Sequence, residues 1–130
     1  MGQYVDLLRS LPRTPRDVAG RRTDKSPEVV AVAKQFGREY FDGDRKYGYG
    51  GYVYDGRWMP VACDVLRHYF QYSARIGYAV MLTEPARILD VGGAKGFLVD
   101  DLHRCSARAD AYGIDISRYA VGEQPYPDVA

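Results

Sequence analysis

The run Arg87-Ile88-Leu89-Asp90-Val91-Gly92-Gly93-Ala94-Lys95-Gly96-Phe97-Leu98-Val99 decides how this chain folds. Ala86 to Val91 is short, mostly apolar and β-favouring, with Pro85 just ahead of it, and predicts a buried strand. Gly92, Gly93 and Gly96 then permit positive φ and an approach of backbone that any Cβ would block, so a tight turn follows. Beyond the turn, Phe97, Leu98 and Leu102, with Val99 beside them, recur at helical spacing, which leaves Asp100, Asp101 and Arg104 to face water. A strand that ends in a glycine turn and re-emerges as a helix sets backbone N–H groups beside the carboxyl end of a sheet. Open α/β sheets bind nucleotides and related molecules at that place.

The turn is not the dinucleotide fingerprint. G-x-G-x-x-G would need glycine at positions 94 and 97, which hold Ala94 and Phe97. The pattern here is Asp90-x-Gly92-x-x-x-Gly96, an acid ending the strand and then spaced glycines. Downstream, Ala111-Tyr112-Gly113-Ile114-Asp115-Ile116-Ser117 predicts a second strand that also ends in a carboxylate. The separation suits a strand–helix–strand unit in which an acid about 20 residues past the glycine turn binds ribose hydroxyls.

Ile88 to Leu98 followed by Tyr112 to Ser117 resembles the first two motifs of class I S-adenosylmethionine-dependent methyltransferases. The upstream run Phe36 to Tyr52, then Tyr54-Asp55-Gly56-Arg57-Trp58, resembles the leader of one bacterial subgroup of that family. Together the two cover roughly residues 26 to 120. One departure is Ala94, where many members carry a middle glycine; alanine is the mildest replacement and leaves cofactor binding in place. The resemblance implies an α/β, Rossmann-like methyltransferase fold, incomplete here: N-terminal helices plus the first strand–helix–strand unit. It implies S-adenosyl-L-methionine as cofactor, held by Asp90, Val91, Gly92, Gly93, Ala94, Gly96, Phe97, Asp115 and Ile116.

The chemistry of those residues can be argued separately. Adenosylmethionine offers an adenine, a ribose diol, and a methionine end with a zwitterion and a sulfonium. The diol needs a paired acceptor, which an ionised Asp115 at a strand end supplies. Ile116 beside it gives an apolar face for the adenine, and the glycines let the main chain pass under the ribose and methionine. Asp90 can attract the ammonium, directly or through water. Each carboxylate could instead cap a loop or helix. Lys95 is expected to point to solvent.

Elsewhere the chain divides into a flexible basic arm (1–25), a helical and Tyr/Gly-rich lid region (26–84) and the first part of a cofactor-binding domain (85–130). The arm carries Arg9, Arg13, Arg16, Arg21 and Arg22 with Pro12 and Pro15, and no signal peptide. Ser26-Pro27-Glu28 opens a helix that presents Val29, Val32, Ala33, Phe36 and Tyr40 to the core and ends at Gly43. Five of twelve tyrosines then fall between Tyr40 and Tyr54, on a glycine frame that neither a helix nor a long strand tolerates. Two roles fit: a lid whose Tyr47, Tyr49, Tyr52 and Trp58 close over a ligand and attract a sulfonium, or an aromatic patch on the side of the sheet. Met59-Pro60 opens a further helix with Val61, Val65, Leu66 and Tyr69 inward, and Phe70 to Leu82 continues it or bends at Gly77. Ser117 to Val121 begins a last helix, interrupted by Gly122, Pro125 and Pro127.

A net charge of +1 favours neither nucleic acid nor an anionic membrane, and Asp42, Asp44 and Asp55 interleave the bases of the tyrosine-rich run. Cys63 and Cys105 lie far apart without metal-type spacing and read as free thiols in a reducing cytoplasm; no metal site is legible. The expected function is methyl transfer to a small-molecule acceptor, with the base unassigned and the chain an N-terminal portion unable to turn over alone. The alternatives are part of an NAD(P)- or flavin-binding oxidoreductase, or a non-catalytic cofactor-binding module.

Overall fold

The computed structural model describes residues 2–13, 15, 17–23 and 25–122; Arg16, Pro125 and Pro127 lie outside them. The architecture is mixed α/β, with two small sheets, one antiparallel and one parallel. In chain order the elements are α1 (Val18–Thr23), α2 (Pro27–Ala33), α3 (Arg38–Asp42), α4 (Met59–Tyr69), β1 (Tyr72–Ile76), β2 (Ala79–Leu82), β3 (Ala86–Val91), α5 (Phe97–Cys105), β4 (Ala109–Ile114) and α6 (Arg118–Gly122).

The strand–turn–helix–strand unit forms where the glycine pattern predicts it. β3 and β4 pair in parallel and in continuous register, from Ala86 opposite Ala109 to Val91 opposite Ile114. Gly92 (φ 83) and Gly96 (φ 77) take the left-handed region that glycine enters without penalty, and Ala94 joins them at φ 51, where a Cβ is strained. α5 crosses back over one face of the pair. Its Val99, Leu102 and Cys105 meet Ala62, Cys63 and Leu66 of α4, Val80 and Leu82 of β2, and Ala86 and Ala111 of the sheet. This core joins α4 and β2 to β3, α5 and β4.

Among the described residues, nothing covers the other face of the sheet. Leu89, Val91, Tyr112, Ile114 and Ile116 are all exposed, although parallel sheets ordinarily bury both faces.

Two expected helices take another form. The helix expected to run from Ser26 to Gly43 breaks into α2 and α3, with Phe36 at φ 48 and Gly37 as the extended N-cap of α3. The Ser117 hydroxyl donates to the Phe36 carbonyl, a tertiary bond that stabilises the break. α2 keeps its capping hydroxyl, Ser26 accepting from the Val29 N–H, but buries no residue fully. Phe70 to Leu82 is not helical: β1 and β2 form a hairpin whose two-residue turn starts at Gly77, φ 59. Val80 and Leu82 point into the core while Ala79 and Met81 face out, the alternation of a strand. Tyr69, expected inward on α4, is exposed. The arm is not wholly free either: α1 forms within it, and the Ser10 hydroxyl donates to Asp64 of α4 at 2.6 Å.

Candidate functional site

The carboxyl ends of β3 and β4 lie side by side, so Asp90 and the Asp115 that follows β4 flank one glycine turn. Both are half-buried. Burial first, then the charge of Asp115, push the Asp90 carboxyl above its ordinary value. Gly93 is buried against Asp90; a Cβ there would meet its Oδ2 at 3.1 Å.

Four amides of the turn are already used. The Gly92 and Gly93 N–H groups both donate to the Ile114 carbonyl, at 2.8 and 3.1 Å, and that of Gly96 to Gly93 at 2.9 Å. The Ala94 N–H donates to Asp115 Oδ2 at 2.8 Å, while Oδ1 accepts from the Ser117 N–H at 2.7 Å. Asp115 therefore braces the turn and the start of α6. A carboxylate has about four acceptor positions, so each oxygen keeps one for a further donor. Four of the donors expected at this turn, the amides of Gly92, Gly93, Ala94 and Gly96, are instead satisfied internally, while the start of α5 has no side-chain cap.

Of the residues expected to hold a cofactor, the structure gathers Asp90, Gly92, Gly93, Ala94, Gly96 and Asp115 around the turn. Ile116 is largely exposed beside Asp115. Val91 is exposed on the uncovered sheet face, next to Leu89 rather than on the α5 side. Phe97 is buried beneath the tyrosine-rich segment, stacked on Tyr52 at 4.9 Å and edge-on to Tyr54 at 5.6 Å.

That segment is docked on the turn through Asp42. Its carboxylate accepts from the Lys95 ammonium at 2.6 Å, the Tyr119 hydroxyl at 2.7 Å and the Tyr52 N–H at 3.0 Å. Burial works to raise the Asp42 carboxyl, but the bonds from Lys95, Tyr119 and Tyr52 outweigh it and hold it below its ordinary value. Lys95 thus points inward, only 12% exposed, and not to solvent as expected. Phe41, Ala94 and Ala120 form a second small core here, flanked by Tyr40, Tyr52 and Tyr119.

The four lid candidates part company. Tyr52 sits over Phe97 and within electrostatic reach of Asp90; burial, then Tyr49, push its hydroxyl up to about 12, with a hydrogen bond from Trp58 acting against them. Trp58 is half-buried at the start of α4. Tyr47 and Tyr49 line a separate hollow against α2, and the Tyr49 ring also meets Tyr52 at 4.5 Å.

Asp101 is the residue sequence reasoning missed. Expected to face water, it is wholly buried on α5 and accepts from the Tyr54 hydroxyl at 2.7 Å; its Oδ2 has no partner among the described residues. Burial dominates and raises its carboxyl, the Tyr54 bond opposing. Cys63 and Cys105 are free and buried, and burial pushes the Cys105 thiol up to about 12, so neither is an active nucleophile at neutral pH. His103 Nε2 accepts the Ala111 N–H at 3.1 Å and joins α5 to β4.

Among the described residues no helix is long and apolar enough to cross a membrane, and no three His, Cys, Asp or Glu side chains cluster to hold a metal. No family model, curated protein or solved structure matches this chain.

Proposed function

We propose that this chain carries the cofactor-binding part of an S-adenosylmethionine-dependent methyltransferase with a Rossmann-like sheet. The carrying observation is the inventory of groups at the strand ends. The Gly92, Gly93, Ala94 and Gly96 amides are consumed by Ile114, Gly93 and Asp115, Lys95 is tied to Asp42, and two carboxylates with spare acceptor capacity flank the turn. A pyrophosphate needs donors and positive charge at this place. A nucleoside with an amino-acid tail needs acceptors for a diol and an ammonium. The inventory favours the second over a nicotinamide or flavin dinucleotide.

The residues present fit such a cofactor. Asp115 would accept from the ribose diol with its remaining lone pairs, and Ile116 offers apolar surface for the base. Asp90, raised by burial and then by the charge of Asp115, gains from an ammonium beside it. Bound there, the cofactor supplies a methyl group already activated by its sulfonium. The chain's own contribution is orientation and water exclusion: Tyr52, fixed over Phe97 by its stacking and by Asp42, stands within electrostatic reach of Asp90 and would wall the site on that side. The acceptor is proposed to be a small molecule. Binding of adenosylhomocysteine against NADH and FAD, each by calorimetry, tests the assignment. Saturable binding of the first alone is expected, and preference for either dinucleotide would reverse it.

A further inference from the structure

A separate concavity of the described structure lies away from the carboxylates. It is a hollow of about 780 Å³ between α2 and the loop 44–49, inside the 300–1,000 Å³ usual for small-ligand pockets. Its charge is lopsided. Arg22, Lys25, Lys34, Arg45 and Lys46 line it, against Asp44 as the one acid among the described lining residues. Five cations less one acid leaves +4 here, in a chain whose total is +1. Like charges gathered in a concavity repel one another and focus field, which favours an anion.

The remaining walls are flat and apolar. Phe36, Tyr40, Tyr47 and Tyr49 contribute rings, and Val29, Val30 and Ala33 of α2 contribute the face that buries no residue fully in the core. The rings are held in place. Phe36 and Tyr49 stand edge-on to Tyr40 at 5.1 and 5.4 Å, and Lys46 lies 4.9 Å from the Tyr47 ring centre. Arg45 donates to the Gly48 carbonyl at 3.1 Å and to that of Tyr49, which fixes the loop while its charge remains. Gly48 is obligatory, since a Cβ would lie 2.2 Å from the Tyr40 carbonyl oxygen.

We infer that this hollow binds a small phosphorylated ligand bearing a planar ring, with a nucleoside monophosphate as the simplest member of the class. The cations take the phosphate and the tyrosine rings take the base. The site stands apart from the glycine turn: none of its lining residues belongs to β3, α5 or β4. It does not depend on the methyltransferase proposal.

Uridine 5′-monophosphate is the probe, because it lacks the adenine that the carboxylate site would take. Titrated into the whole chain and followed by amide NMR and calorimetry, it is expected to bind saturably, with Kd below about 1 mM. The shifts should centre on residues 29–49, and excess adenosylhomocysteine should not displace it. Uridine and inorganic phosphate, each tested alone, should bind at least about tenfold more weakly. Lys34→Glu/Lys46→Glu, two exposed sites, should weaken binding by a similar factor with an unchanged circular dichroism spectrum. The inference is overturned by absent saturation in the wild type, by shifts centred on residues 90–96, or by a folded double variant that binds as well as wild type. A thymidine decanucleotide binding over about 100-fold tighter than the monophosphate would also overturn it, in favour of single-stranded nucleic acid. Loss of adenosylhomocysteine binding would leave every one of these outcomes readable.

Discussion

Replacing Asp42 by alanine removes the acceptor shared by Lys95, Tyr119 and the Tyr52 N–H, at 2.6, 2.7 and 3.0 Å. Exposed ion pairs are worth about 0–1 kcal/mol. Breaking a buried one by deleting a single partner costs about 3–5 kcal/mol, because the other charge is stranded. Lys95 is 12% and Asp42 22% exposed, so the pair lies near the buried limit and the expected loss is about 3 kcal/mol. That is a large part of the roughly 5–15 kcal/mol by which domains are stable. Urea titration followed by the single tryptophan, Trp58, reads it directly. With m of about 1–3 kcal/mol/M, the midpoint should fall by at least about 1 M. Asp42→Ala/Lys95→Met, which removes the stranded ammonium, should regain part of the loss. The pH dependence has a definite sign. A carboxyl held below its ordinary value stabilises the fold above that ordinary value and loses the effect as pH falls through its lowered one. The gap between wild type and Asp42→Ala should therefore close in acid. A loss under about 1 kcal/mol at pH 7 would place Asp42 among ordinary surface pairs and refute the docking of the aromatic segment on the glycine turn.

Other expectations follow from single contacts. Gly48→Ala should destabilise by more than about 2 kcal/mol in the same titration, because its Cβ would overlap a carbonyl that is itself bonded to the Tyr49 N–H. Asp101→Asn keeps an acceptor for Tyr54 and removes a buried charge. Since a raised carboxyl contributes stability below its ordinary pKa and loses it as pH rises, the variant should gain on wild type between pH 4 and pH 8, read as a rising urea midpoint relative to wild type. Asp90 is likewise raised, so affinity for adenosylhomocysteine should fall on acidification sooner than for an ordinary aspartate. Asp90→Asn should bind more weakly at pH 8 and flatten that profile in calorimetry.

What was legible in the sequence is what local rules govern. The apolar run before Gly92, the glycines that need positive φ, and acids at two strand ends specify a parallel unit whatever surrounds it. The break at Phe36 was hidden because its supporting bond comes from Ser117, 81 residues away. The hairpin was within reach: Gly77-Tyr78 between two β-favouring runs is a two-residue turn pattern, masked by the apolar character of Phe70 to Leu82. Asp101 also left a trace, since Phe97, Asp101 and Cys105 follow at four-residue intervals on one helix face, and all three are buried. Charge outweighed periodicity in placing it in water. Lys95 left none; its partner arrives from residue 42 through tertiary packing.

On the proposed reading, Asp115 would hold the ribose of a sulfur-bearing nucleoside while bracing the Ala94 amide. Calorimetry of adenosylhomocysteine on wild type, Asp115→Ala and Asp115→Asn addresses it directly, with circular dichroism confirming each fold. One-to-one binding by wild type and a weakening of at least about tenfold in both variants is the predicted result. Equal affinity in a folded variant, or no binding by wild type, would contradict the account.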